Sequence, residues 1–225
     1  MRRFLAAALA IPFLLQFASA HFVFVVPAAD GTKAEVVFSE SLEPDDAVDI
    51  AKIAGVKLTV RDAAGKTNPV VCEKGEHALK VAIPGSGSRI VFGQLDYGVV
   101  QKGEAPAFLL RYYPKTIVGP LPADGGKLGD AALLEVVPVG EAGKLRFQVL
   151  AQGKPVADAS MTVLVPGEKP QVVKTDKDGF SPAFAQVGRF GVWARRVETA
   201  SGESAGKKYA EVRDYATLVC DVAGK

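Results

Sequence analysis

The sequence predicts an all-β protein made of two small antiparallel β-sandwiches, with one short helix in the first. Two features carry this reading. Short runs of β-branched and aromatic residues are punctuated throughout by the 23 glycines and 14 prolines and by Asn and Asp, the spacing of sandwiches rather than of α/β units. Just after Tyr113 the pattern lapses, with Pro114, Pro120, Pro122 and the Gly125-Gly126 pair, and this marks a boundary between two strand-forming halves.

The chain opens on a leader. Met1-Arg2-Arg3 supplies a basic start, and the apolar run from Phe4 to Phe17, broken only by Pro12 and Gln16, is too short to span a bilayer comfortably. Ala18-Ser19-Ala20 is the small-x-small pattern that signal peptidase requires, so residues 1–20 are predicted to be a signal peptide cut between Ala20 and His21. The Arg2-Arg3 pair is read as an ordinary basic region rather than a twin-arginine signal. No cysteine follows the apolar run to carry a lipid, and no later stretch is long and apolar enough to cross a membrane. The expectation is a periplasmic or secreted protein whose first residue is histidine.

The first domain, 21–115, has predicted strands at Phe22 to Val26, Ala34 to Phe38, Val56 to Arg61, Ala78 to Ile83, Arg89 to Phe92 and Phe108 to Tyr113. Its predicted helix runs between Pro44 and Gly55: Pro44 suits a first turn, Asp45, Asp46 and Asp49 favour the positive end of the dipole, Lys52 favours the other, and Gly55 can take a left-handed cap. In the Tyr112-Tyr113 pair, strand alternation predicts one core residue and one exposed residue. A linker, 116–132, leads to the second domain, 133–225. Its strands are predicted at Leu133 to Val137, Lys144 to Leu150, Ser160 to Val165, Gln171 to Lys174, Gly191 to Glu198 and Tyr215 to Val222, and Thr199 to Lys208 is read as a solvated loop. The Asp176-x-Asp178-Gly179 stretch lacks the further oxygen ligands and closing glutamate of an EF-hand, so it is read as a turn.

Charge narrows the function classes. Removing residues 1–20 takes Arg2 and Arg3 and no acid, leaving 25 basic against 25 acidic residues, so a nucleic-acid partner is not expected. The chain has two cysteines, Cys72 and Cys220, and in an oxidising compartment they are expected to pair. In the loop-entropy description such a long closure would constrain the unfolded chain by about 4 to 5 kcal/mol.

The two histidines, His21 and His77, carry the chemistry. An N-terminal histidine can chelate a metal through its α-amino nitrogen and its ring Nδ1, and a second imidazole completes a three-nitrogen set, the histidine brace, which suits Cu(II). The amino group must lose its proton to bind, so binding should weaken in mild acid. The plainer reading makes His21 an accident of the cleavage site and His77 a surface residue beside Glu73, Lys74 and Glu76. A third combination, His21 and His77 with Cys72, would make an electron-transfer copper site. Pairing of Cys72 with Cys220 disfavours it, and the mature chain's lone methionine, Met161, falls in the other domain. Asp96, Tyr97, Tyr112, Tyr113 and Asp214 are further oxygen donors that spacing does not choose among. No hydrolase elbow, His-Glu-x-x-His or phosphate loop is present.

Two resemblances add to this. The stretch Gln152-Gly153-Lys154-Pro155-Val156-Ala157-Asp158-Ala159, followed by Thr175-Asp176-Lys177-Asp178-Gly179-Phe180, resembles small β-sandwich modules of the carboxypeptidase-regulatory and transthyretin-like kind, which implies an immunoglobulin-like or transthyretin-like topology. The start His21-Phe22-Val23-Phe24-Val25-Val26-Pro27, the tract Leu109-Leu110-Arg111-Tyr112-Tyr113-Pro114-Lys115 and the ending Lys207-Lys208-Tyr209-x-Glu211-Val212-x-x-Tyr215-Ala216-Thr217-Leu218 look like a family of secreted bacterial proteins labelled as the periplasmic component of nickel or cobalt uptake. That resemblance implies a two-domain β protein outside the cytoplasm that begins with His and handles a transition metal. It carries over His21, and more weakly His77.

The expected function is therefore an exported protein that binds one Cu(II) or Ni(II) ion at His21 and His77, for delivery or buffering, without being an enzyme. Its partner would be a membrane metal transporter or an envelope component. Two rivals stand beside it: a structural or adhesive envelope sandwich without metal, and a histidine-brace oxidative enzyme similar in ligand set to the copper polysaccharide monooxygenases. The enzyme is disfavoured because Trp193, the lone tryptophan, lies far in sequence from His21.

Overall fold

A computed structural model describes residues 21–224; the predicted signal peptide, 1–20, lies outside the described residues. The regular secondary structure of the chain is nearly all β-strand. In order the strands are β1 (Phe22–Pro27), β2 (Lys33–Ser39), β3 (Lys57–Arg61), β4 (Thr67–Val70), β5 (Cys72–Lys74), β6 (Leu79–Ala82), β7 (Arg89–Val100), β8 (Phe108–Val118), β9 (Glu135–Val139), β10 (Arg146–Ala151), β11 (Lys154–Pro155), β12 (Ser160–Leu164), β13 (Gln171–Lys174), β14 (Gly188–Glu198), β15 (Gly202–Ser204), β16 (Lys207–Tyr209) and β17 (Glu211–Val222). Among the described residues no helix is long and apolar enough to cross a membrane.

One sheet of eight strands, in the order β13-β12-β14-β17-β8-β7-β3-β4, runs through both halves of the chain. Its seam is the parallel pair β8 and β17, in register from Phe108 opposite Glu211 to Thr116 opposite Val219. Alternation then decides what each strand touches. On β8, Phe108, Leu110 and Tyr112 enter one core while Tyr113 and Ile117 enter another; on β17, Tyr215 and Val219 join the first, and Ala216, Leu218, Cys220 and Val222 the second. The four-stranded sheet β1-β2-β6-β5 contributes Phe22 to Val25, Val36 to Phe38 and Leu79 to the first core, and the three-stranded sheet β11-β10-β9 contributes Val136, Phe147 and Val149 to the second. The long sheet is therefore the middle of three layers, with one core on each face. This is why Tyr112 and Tyr113 are both buried, where the sequence predicted one exposed: from Tyr112 to Val118 both faces of β8 are covered.

Polar groups tie the seam. Thr217 Oγ1 donates to the carbonyl of Val23 at 2.6 Å and Thr116 Oγ1 to that of Val219 at 2.9 Å. Asp214 has no exposed surface and accepts from Arg111 Nε at 2.8 Å, Arg111 Nη2 at 3.2 Å, Arg196 Nη2 at 2.8 Å and Tyr113 Oη at 3.4 Å. A second buried pair, Lys115 Nζ to Glu135 Oε2 at 2.6 Å, sits where β8 leaves the seam. Glu135 also accepts from the Leu128 and Gly129 amides, which pins part of the 116–132 segment to the body. Pro114, inside β8, is tolerated because the β7 ladder has a gap there, between the pairs Phe92–Lys115 and Leu95–Tyr112.

Three expectations are corrected. Residues 44–55 do not form a ten-residue helix: only a 3-10 turn, Ile50–Ile53, is present. Asp45 Oδ1 accepts from the amide of Ala47, and Asp49 Oδ1 from that of Ala51, each at 2.9 Å, so the aspartates expected to favour a helix start bond the backbone locally and break the segment into turns. The 199–208 loop holds a small hairpin, β15 with β16, whose turn places Ala205 and Gly206 at φ 49° and 75°. Cys72 and Cys220 are both free thiols. Cys72 packs on the first core from β5 and Cys220 lies within the second, so the middle sheet stands between them. The Asp176 loop is a turn: its Oδ1 accepts from the amides of Asp178 and Phe180, and its Oδ2 from Arg146.

Burial pushes the Cys220 thiol up to about 12 and raises that of Cys72. In native protein a thiol reagent should label Cys72 slowly and Cys220 only after unfolding, and reductant should leave the melting temperature unchanged; a reductant-sensitive melt would restore the disulfide. Asp214→Ala leaves Arg111 and Arg196 without their shared counter-charge and should cost about 3 to 5 kcal/mol in urea unfolding. A loss under about 1 kcal/mol would show that water replaces the carboxylate.

Candidate metal centre

His21 is held at the entry to β1, one residue before the first pair, Phe22 opposite Ser39. Its ring Nε2 lies 2.8 Å from Asp45 Oδ2, and its side chain keeps 19% of its surface exposed. The hydrogen bond from His21, then the amide of Ala47, holds the Asp45 carboxyl below the usual carboxylate range, so it is ionised and can only accept. Nε2 therefore carries the hydrogen, and in the neutral ring Nδ1 keeps its lone pair. On the backbone side, Tyr112 Oη donates to the His21 carbonyl at 3.0 Å, and the Phe38 ring lies tilted with its centroid 5.5 Å from the imidazole.

A pocket of about 490 Å³ opens beside this residue. Aromatic rings (Phe38, Tyr97, Phe108, Tyr112 and Tyr215) line part of its wall, and Lys52, Lys102 and Arg213 bring positive charge. Arg213 pairs with Glu211 and stacks over Phe108, its guanidinium carbon 3.6 Å from the ring centroid. Asp45 is the one carboxylate in the lining.

His77 lies in the turn between β5 and β6, with 41% of its side chain exposed. Its Nδ1 is 3.5 Å from Asp46 Oδ1 and its Nε2 is 3.5 Å from Glu76 Oε1, distances of ion pairing rather than of firm hydrogen bonds. Neighbouring residues Asp45 and Asp46 thus meet one histidine each. His77 does not line the pocket, and among the described residues no group of three His, Cys, Asp or Glu side chains is arranged to hold a metal ion. Of the other oxygen donors, Tyr97 and Tyr112 line the pocket, Asp96 accepts from Gln94, and Tyr113 and Asp214 belong to the second face of the seam. Cys72 is spent on packing.

Sequence order misplaced Trp193. Its ring stacks on Phe22 at 4.0 Å between centroids, immediately beside His21, because β14 lies next to β17 in the middle sheet. Phe22 also touches Tyr215 at 5.3 Å, and Tyr215 stacks on Tyr112 at 5.8 Å, so an aromatic cluster underlies the site. Distance from His21 is therefore no argument against an oxidative enzyme. Asp45 is the site residue that sequence reasoning missed; it was read as a helix-end charge, and only its placement across from His21, 24 residues away, reveals it.

No protein-family model matches the chain, and no curated protein matches it. A solved structure described as "Structural insight into host cell surface retention of a 1.5-MDa bacterial ice-binding adhesin" aligns with 91% of this chain and 66% of that one, just under two thirds of its length. Identity is 13% and the TM-score 0.24, a likeness too slight to carry any argument about this chain.

Proposed function

We propose that the processed chain is an exported transition-metal-binding protein that holds one Cu(II) or Ni(II) ion at its N-terminal histidine for delivery or buffering. His21 would supply its α-amino nitrogen, freed by removal of residues 1–20, and Nδ1; His77 would supply a third nitrogen from its turn. A membrane metal transporter or another envelope component would receive the ion. The two cores, which share the middle sheet, are read as of the immunoglobulin-like or transthyretin-like kind.

The observation that carries this reading is the His21–Asp45 contact of 2.8 Å. A chelate through the α-amine closes on Nδ1, not on Nε2, and a carboxylate on Nε2 is the partner that fixes ring orientation and raises ligand basicity in histidine metal sites. The donor set is nitrogen with room for oxygen, which suits Cu(II) and Ni(II).

Calorimetric titration with Cu(II) and Ni(II) of protein beginning at His21 should give one-to-one binding, lost when one extra residue precedes His21. Equal weak binding by both forms would end the proposal and leave a structural or adhesive sandwich. Asp45→Ala should lower metal affinity about 10- to 100-fold without changing stoichiometry; unchanged affinity would remove Asp45 from the site. Because the α-amino group titrates near 8 and must be deprotonated, affinity should fall about tenfold per pH unit below that. Asp45 adds nothing to this slope: its pKa is lowered, so its hold on His21 is present above the usual carboxylate range and is lost only as pH falls below it.

A further inference from the structure

We infer that the pocket beside His21 is itself a binding site, for a small aromatic carboxylate without metal. This goes beyond the metal reading and does not rest on it. The first ground is the size and wall of the pocket. It holds about 490 Å³, within the usual range of small-molecule sites. Phe38, Tyr97, Phe108, Tyr112 and Tyr215 contribute to its wall. Three of these rings adjoin one another, Tyr112 lying 5.9 Å from Tyr97 and 5.8 Å from Tyr215 between centroids. Adjoining rings suit a flat unsaturated body, which they meet by offset stacking or by edge contact.

Charge is the second ground. The lining carries Lys52, Lys102 and Arg213 against the carboxylate of Asp45. Arg213 is committed to Glu211, and Asp45 to His21 and the amide of Ala47. Lys52, from the 3-10 turn, and Lys102, from the β7–β8 loop, make no ion pair among the described residues. Both are exposed, so their ammonium groups can turn to an incoming anion without giving up a partner. A cation entering this space meets like charge, whereas an anion meets two ammonium groups that nothing else neutralises.

Hydrogen-bonding capacity is the third. The Tyr112 hydroxyl is spent on the His21 carbonyl, but those of Tyr97 and Tyr215 bond no other group among the described residues and neither is buried. With the two lysines they are the uncommitted polar side chains of the lining, and an ammonium group only donates. Asp45, the carboxylate that could accept, is already bonded. Free donors therefore outnumber free side-chain acceptors, and the complementary group is one that only accepts, an ionised carboxylate. Lys52 and Lys102 receive that carboxylate, and the rings receive the carbon body.

Equilibrium dialysis in metal-free buffer tests this, on protein beginning at His21, with 4-hydroxycinnamate, its neutral amide and acetate as probes. Wild type should retain 4-hydroxycinnamate one-to-one and hold the amide and acetate each about tenfold more weakly, since one lacks the charge and the other the ring. A Lys52→Ala/Lys102→Ala double variant should lose about tenfold in affinity for the acid. Lys169→Ala/Lys177→Ala, which removes two exposed lysines outside the pocket, should lose none. The inference is overturned if wild type retains no acid, if the amide or acetate binds as well, if the Lys52/Lys102 variant keeps full affinity, or if both double variants weaken equally. With copper and nickel absent, none of these outcomes touches the metal-binding function, which its own titration decides.

Discussion

The parallel pairing of β8 with β17 is the constraint on which the rest of this structure depends. It joins strands that lie about a hundred residues apart in the chain, Phe108 opposite Glu211 at one end and Thr116 opposite Val219 at the other. By fusing the sheets of the two halves into one, it produces a layer that must be apolar on both faces, as strands with two covered faces are. Tyr112 and Tyr113, neighbours in sequence, consequently belong to different cores, and so do Val219 and Cys220. The fully buried Asp214, braced by Arg111, Arg196 and Tyr113, is the polar cost of closing the seam, since a charge so placed is tolerated only when its partners are complete.

The candidate site is a by-product of the same seam. β1 lies across β8 and β17, anchored by Thr217 to the carbonyl of Val23 and by Tyr112 to that of His21, so the first residue after the predicted cleavage point is fixed rather than frayed. Chain ends are ordinarily poorly ordered unless tied down. Here the tie leaves the histidine ring at the mouth of a pocket and turns its Nε2 to Asp45. The electrostatics are mixed: one ionised carboxylate aligns the ring, and three cationic side chains surround the space in front of it. The carboxylate of Asp45 orients the His21 ring.

Much of the fold was legible in residue pattern because alternation and turn chemistry are local. Strands such as Phe22–Pro27, Ser160–Leu164 and Gln171–Lys174 follow from their β-branched runs, and the Asp176 loop proved to be the turn its Asp-Gly pair announces. Where side chains compete with the backbone the pattern misled: the aspartates of the 44–55 segment favour a helix start on paper, yet in place they cap successive turns. The hairpin within 199–208 was missed because its Ala205-Gly206 turn lacks the Asn-Gly or Asp-Gly signal.

By itself the sequence determined the all-β class, the predicted leader and the two histidines, since each of these is written in composition or short-range spacing. Tertiary structure alone decided everything that depends on which distant strands become neighbours. It separated Cys72 from Cys220 by placing them on opposite faces of one sheet, brought Trp193 onto Phe22, and set Asp45 against His21. The physical reason is common to all three. Strand alternation assigns a side chain to a face, but the identity of what covers that face is fixed by long-range pairing, and no local pattern encodes the parallel register of β8 on β17.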